Sequence, residues 1–146
     1  DIHKWRNLKL NRVIGIDISE KQIELAKKNI PKGEFKVKDM SELKERKYLV
    51  DAVVSFYAIF HTPRETHQDI LRKIYSFLKK DGYMLITMGS SNHEGKEYDF
   101  FGGKMYWSHY DSHTNRKLVE NAGFKVLLDE IDDAGGEKHQ VILARK

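Results

Sequence analysis

The sequence predicts an α/β domain with a doubly wound, mostly parallel sheet, helices on both faces and a late antiparallel strand. Three observations carry this expectation. Short β-branched apolar runs, Val13 to Asp17 and Val50 to Phe56, read as strands buried on both faces rather than alternating surface strands. Each is followed by a helix start signal, which gives the strand–helix alternation of a parallel sheet. The chain then closes on two strand-like segments joined by a turn, Phe124 to Asp129 and His139 to Ala144, which form an antiparallel pair at the sheet edge.

The elements follow in order. After Val13–Asp17, Ser19 with Gln22 three residues later forms a capping box, Ile23, Ala26 and Ile30 share one helix face, and Pro31 and Gly33 stop the helix. Glu34 to Lys38 alternates Phe35 and Val37 with charge and reads as a strand, with Ser41 capping a short turn after it. Val50 to Phe56 continues through Tyr57 and Ile59 to His61. Thr62-Pro63-Arg64-Glu65 places an N-cap, a proline at the first helical position and a glutamate at the third, opening a helix with the apolar stripe Ile70, Leu71, Ile74, Phe77 and Leu78. Asp81-Gly82 turns the chain into a buried strand over Tyr83 to Met88. Residues 89–111, rich in glycine, aromatics and histidine without a steady period, are expected to form a long loop or lid over a site. A helix is expected from about Ser112 to Ala122, ended by Gly123.

Bulk properties narrow the function classes. The 146 residues are 40% apolar and 33% charged, as in one globular domain covering the whole chain. No apolar run approaches the length of a membrane span and no signal-peptide order opens the chain, so a cytoplasmic protein is expected. With no cysteine, thiolate nucleophiles, disulfides and the usual structural zinc sites are excluded. Net charge is +4, and positions 1–47 hold 13 basic against 8 acidic residues. A basic face can meet RNA, although such lysines are more often the solvated sides of helices. His93, His109 and His113 fit no standard ligand spacing, so no metal is expected.

Four segments in this order and spacing, Val13–Ser19, Val37–Met40, Val50–Ser55 and Leu78–Tyr83, resemble the class I S-adenosylmethionine-dependent methyltransferases, of the general small-molecule type. The resemblance implies a cofactor lying across the carboxyl ends of the first strands, S-adenosylmethionine as methyl donor with S-adenosylhomocysteine as product, and transfer to a small-molecule acceptor. It assigns Asp17 to the ribose hydroxyls, which a carboxylate suits because it only accepts hydrogen bonds. It assigns Asp39 to the adenine amino group, with Ile18 and Met40 as apolar walls. An acid capping a helix and an Asx turn are the structural alternatives for Asp17 and Asp39. Asp51 belongs at the start of its strand, away from the cofactor, and is read as structural. Nothing before Val13 supplies the family's glycine-rich turn; Asp1 to Arg6 resembles the helix that follows it, so the first strand and that turn are expected to be absent and the natural protein to be longer at its N-terminus. The stretch Asp1–Ser19 is also similar to messenger-RNA cap guanine methyltransferases, which keeps an RNA acceptor open. Two rival functions share parts of the pattern: a non-catalytic binding protein that keeps the fold, and a nicotinamide-binding oxidoreductase with the same strand-end acid at Asp17.

Methyl transfer from a sulfonium is an in-line displacement that needs alignment and exclusion of water more than catalytic groups. Where the acceptor carries a proton a base is useful, and His61, just past a strand that ends near the cofactor, is the candidate, with a locally bonded helix histidine as the alternative. Phe56 and Tyr57 are expected beside the cofactor, Tyr57 and His61 beside the substrate. Tyr106, Trp107, His109 and Tyr110 form the candidate aromatic wall around it, with a lid that anchors itself by burying its rings as the alternative, favoured for Trp107.

Overall fold

The computed structural model describes residues 10–100, 102–134 and 136–146. The helix expected over Asp1 to Arg6 lies outside the described residues. The chain divides into two compact units, residues 1–42 and 43–146.

In the first unit, β1 (Ile14–Asp17) pairs in parallel with β2 (Glu34–Val37), in the register Ile14 with Glu34 through Asp17 with Val37. The connecting helix α1 (Glu20–Asn29) starts where the sequence predicts: Ser19 is extended, and its hydroxyl accepts from the Gln22 N–H at 3.4 Å. Ile23 is the helix's buried residue, and the Ile30 N–H closes the last turn on the Ala26 carbonyl. Gly15 lies under the Phe35 ring, where an added Cβ would fall 2.4 Å from a ring carbon, so the close approach of β1 to β2's side chain requires glycine. Arg12 closes the strand starts with two bonds to Glu34, at 2.6 and 3.0 Å, and holds that carboxyl below the usual carboxylate range. After β2, a 3-10 turn over Met40–Glu42 is capped by Asp39 rather than by Ser41. The Ser41 N–H and hydroxyl both donate to Asp39 Oδ1, because the acid two residues upstream reaches the turn's free amide first.

The second unit is built on a four-stranded sheet in the order β3–β4–β8–β7. β3 (Val50–Ser55) and β4 (Leu78–Gly89) are parallel; β8 (His139–Arg145) runs antiparallel to β4 and to β7 (Lys125–Asp132), so three of the four strands share one direction. This is the expected late antiparallel strand, and the α/β fold class is as the sequence predicts. The helices α2 (His67–Phe77) and α3 (Ser112–Asn121) pack against each other and against this sheet. Met84, Ile86, Met88, Ile142 and Ala144 meet Ile70, Leu71, Ile74 and Val119 in a core whose members are all under 5% exposed. Burying each of the larger aliphatic side chains contributes about 1.5–3 kcal/mol.

Three expectations change here. First, α2 begins at His67, not at Thr62-Pro63: the chain makes 3-10 turns over Ile59–His61 and Arg64–Thr66 first, and the Thr62 hydroxyl donates to the Ile59 carbonyl instead of capping a helix. Second, β4 leaves α2 directly at Leu78, and Asp81-Gly82 forms a bulge within it, with Asp81 at φ 63° and the register jumping from Leu78 to Tyr83 across β3. Third, residues 89–111 do not form an irregular loop. They contain an antiparallel hairpin, β5 (His93–Phe100) with β6 (Gly103–His109), turning at Gly102 with φ 79°. The base of the hairpin is clamped by Asn92 and Asp111, which exchange bonds at 2.9 and 3.2 Å, while Asp111 also caps α3 through the Thr114 N–H. Among the described residues no helix is long and apolar enough to cross a membrane.

Candidate active site

In the first unit the carboxyl ends of β1 and β2 form one rim. Asp17 stands opposite Val37, the Lys38 N–H donates to the Asp17 carbonyl at 2.8 Å, and Asp39 is the next residue. The register therefore brings the two predicted acids to the same end of adjacent strands. Each uses one oxygen locally: Asp17 Oδ1 accepts from the Ser19 N–H at 2.8 Å, and Asp39 Oδ1 accepts from Ser41. The second oxygen of each accepts no hydrogen bond among the described residues, which leaves two acceptor-only groups for a ligand. The local Asx and capping geometry therefore occupies one oxygen of each acid and does not by itself exclude a ligand on the other. Ile18 beside them is 71% exposed, an unusual position for an isoleucine at a strand end, and Met40 is half-buried. A nucleoside, with vicinal hydroxyls, an exocyclic amine and flat apolar faces, matches this set of groups.

In the second unit the ends of β3 and β4 and the start of β8 meet at another rim, where Gly89 pairs with His139. Phe56 and Tyr57 leave β3 exposed, at 44% and 54%. Tyr57 takes the left-handed conformation, φ 51°, and its N–H donates to the Thr87 hydroxyl at 2.6 Å, so a bond to β4 stabilises a backbone that costs about 1 kcal/mol. That kink turns the Tyr57 ring edge-on to His139, at 5.0 Å between centroids. Phe60, 2% exposed, anchors the aromatic cluster: Trp107 and His139 each stack on it at 5.5 Å, and the His61 ring meets it edge-on at 4.9 Å.

The pleat of β6 sorts the predicted wall. Trp107 and His109 point to one side of the hairpin and line a cleft of about 500 Å³ with His93 and His139. Tyr106 does not join them: its hydroxyl donates to Glu94 at 2.7 Å, and Glu94 also meets Arg64 at 3.3 Å. Alternation along a strand puts residues 106 and 107 on opposite faces. His61 lies against Trp107, ring to ring at 4.5 Å, and its Nδ1 is 2.9 Å from the Tyr106 carbonyl. A carbonyl only accepts, so Nδ1 carries the proton and Nε2 keeps the lone pair. His109 is fixed in the same tautomer by the Ser91 carbonyl. Burial holds its imidazole below the usual histidine range; the Ser91 bond opposes this and nearby His93 adds to it.

His139 is the site residue that sequence reasoning missed. It opens a strand and sits in no motif; only the β4–β8 register, which sets it opposite Gly89, brings it here. The buried pair Asn115 and Gln140, which lies beneath the end of β4, also carries no sequence signal. Both are fully buried; Asn115 Nδ2 donates to the Gly89 carbonyl at 2.7 Å and the Tyr110 carbonyl at 3.2 Å, and to Gln140 Oε1 at 3.1 Å, tying the end of β4 to the chain just past β6. Asp51, read as structural, accepts two bonds from Lys79 at 2.9 and 3.0 Å at the opposite end of β3. Among the described residues no three His, Asp or Glu side chains gather as a metal site.

Comparison with known proteins agrees with this architecture. No curated protein matches the sequence. A solved S-adenosylmethionine-dependent methyltransferase from Methanosarcina mazei is similar at TM-score 0.74 and 17% identity, over 92% of this chain and 82% of that one. Another, from Mesorhizobium loti, aligns at TM-score 0.76 and 15% identity over 99% and 85%. The 1,6-didemethyltoxoflavin-N1-methyltransferase of Burkholderia thailandensis aligns at TM-score 0.68 and 20% identity over 92% and 61%. The family described as Methyltransferase domain matches residues 3–82, more than half of the sequence. The chain therefore belongs to the class I S-adenosylmethionine-dependent methyltransferases and is a methyltransferase.

Proposed function

We propose that the protein transfers the methyl group of S-adenosylmethionine to a small-molecule acceptor in the cytoplasm, releasing S-adenosylhomocysteine. The observation that carries this reading is the rim of β1 and β2, where two carboxylates each keep one oxygen without a hydrogen bond among the described residues, beside an exposed isoleucine. Asp17 takes the ribose hydroxyls, Asp39 the adenine amino group, and Ile18 and Met40 pack on the ring. Phe56 and Tyr57 are assigned to the same cofactor by their place in the family pattern, Tyr57 also to the acceptor.

The bound cofactor supplies an activated methyl on a sulfonium. What remains for the chain is to hold the acceptor, exclude water and take a proton where the acceptor bears one. Trp107 supplies a flat apolar wall, with Tyr106 buttressing its strand through Glu94. His61, named from its place after β3, and His109 of β6 are the two candidate bases, and in each Nδ1 is bonded to a backbone carbonyl, which leaves Nε2 to face a ligand.

Titration calorimetry of the full-length protein tests the reading. Saturable binding of S-adenosylhomocysteine, with no binding of NAD, is expected. Binding of NAD and not of S-adenosylhomocysteine would overturn it.

A further inference from the structure

Resting on that reading, we propose that the cleft between β6 and the start of β8 is the acceptor site, that it takes a flat aromatic ring bearing an ionisable hydroxyl, and that Nε2 of His109 receives the hydroxyl proton.

The cleft's walls argue for the ring. Its volume of about 500 Å³ suits a one- or two-ring molecule. Trp107 is its apolar wall, and the buried Phe60 behind holds both Trp107 and His139 in stacked orientation, at 25° and 28° between planes. Flat side chains fixed by stacking present faces that favour another flat ring.

The charges argue for a neutral ligand that carries its own proton. Lys96 and Lys138 line the cleft, and so do Glu97 and Glu137, so the formal side-chain charges cancel. The remaining titratable groups there are the imidazoles His93, His109 and His139. A carboxylate or phosphate ligand would find no net cationic field; a phenol-like hydroxyl finds acceptors.

Among the three imidazoles the geometry singles out His109. Its Cβ, Cγ and Nδ1 lie against the backbone of Gly89, so closely that a Cβ at residue 89 would fall 2.1 Å from Cγ and from Nδ1. Nδ1–H is used by the Ser91 carbonyl. The ring is thereby held by its inner edge, and Nε2, on the outer edge, keeps its lone pair. The groups around it are His93 of β5, with ring centroids 5.7 Å apart, Phe60 at 6.3 Å, the buried His67 of α2, His139 of β8, and Lys96, Glu97, Glu137 and Lys138 of the cleft. Burial, against the Ser91 bond and with a smaller contribution from the neighbouring imidazoles, holds His109 below the usual histidine range, which favours the neutral form a base needs. His61, by contrast, is packed against Trp107 and is not among the cleft's lining residues. In the step, the hydroxyl O–H bond breaks, the proton bonds to Nε2 to give an imidazolium, and the electron pair stays on oxygen as the nucleophile.

The test uses 4-nitrophenol, whose phenolate absorbs in the visible, on the full-length protein carrying Trp5→Phe so that Trp107 is the fluorescent reporter. Saturable quenching of Trp107 is expected, together with about tenfold more phenolate in the bound than in the free probe at a pH below its own pKa. His109→Gln should still quench but return the phenolate fraction to that of free probe, while His113→Gln, on the exposed start of α3, changes neither. In the protein with His109 intact, the 15N shift of His109 Nε2 moving to the imidazolium value on addition of probe reads the same transfer, whether or not the variant folds. Absence of quenching at millimolar probe, or a phenolate fraction unaffected by His109→Gln, overturns the proposal. S-adenosylhomocysteine calorimetry on the same sample separates the two readings: cofactor bound without probe removes this inference alone, and probe bound without cofactor removes the methyl-transfer reading.

Discussion

Gly89→Ala is the substitution whose consequence the structure fixes most closely. The new Cβ would sit 2.1 Å from His109 Cγ and Nδ1 and 2.7 Å from its Cβ. Restoring an ordinary 3.4 Å contact requires the imidazole to retreat by about 1.3 Å, and a χ1 rotation alone does not relieve it, because His109 Cβ, 2.7 Å away, moves only with its backbone. That retreat breaks the Nδ1–Ser91 bond, a loss of about 1 kcal/mol, and overpacks the end of β4 by a further ~1–3 kcal/mol. We expect Gly89→Ala to cost about 2–4 kcal/mol in urea unfolding. The same change made in a His109→Ala background, where the ring is gone, should cost under about 1 kcal/mol. Equal costs in the two backgrounds would refute the reasoning, since the clash would then not be with His109.

Three further outcomes follow from the same geometry. Asp17→Asn keeps an oxygen for the Ser19 N–H but loses one acceptor, so S-adenosylhomocysteine affinity by calorimetry should fall roughly 10–100-fold while the thermal midpoint barely moves. Asn115→Ala leaves the Gly89 and Tyr110 carbonyls and Gln140 Oε1 without their donor in a buried site, a destabilisation of about 2–4 kcal/mol by urea titration. Burial holds His67 below the usual histidine range, against its bond to the Thr62 carbonyl; the unfolded chain therefore takes up its proton first, stability is lost as the pH falls below the unfolded value of about 6.5, and His67→Gln should flatten that slope in melting temperatures followed from neutral into mildly acidic buffer.

β1, β3, α1, α3 and the β7–β8 pair lie where apolar runs and caps put them. The expectation that β1 and β3 are buried on both faces does not hold: β1 is half-buried up to an exposed Asp17, and Ala52 and Val54 of β3 are exposed. The hairpin is not legible in this way, because β5 faces solvent: His93, Glu94, Lys96, Glu97, Tyr98 and Asp99 are exposed and show no apolar alternation. The Gly102-Gly103 pair between Phe100 and Met105 is the available signal for its turn. The start of α2 falls later than the sequence predicts because Thr62-Pro63 carries the chemistry of a helix cap, which here ends one 3-10 turn and begins another. In the candidate site, strand-end position is enough to find the acids of β1 and β2. Tyr106 separates from Trp107 because a strand has two faces and a loop has none. His139 gives no local signal because its neighbours are set by a pairing between strands some fifty residues apart in sequence.

Replacing a loose lid by a clamped hairpin alters the thermodynamics of ligand capture. Asn92 and Asp111 at its base, Glu94 bound to Arg64 and Tyr106, and Ser108 accepting from the Arg64 N–H fix β5 and β6 before any ligand arrives. A molecule entering beside Trp107 meets a surface whose disorder has already been removed, so little conformational entropy is lost on association and discrimination between ligands falls to shape rather than to folding around the guest.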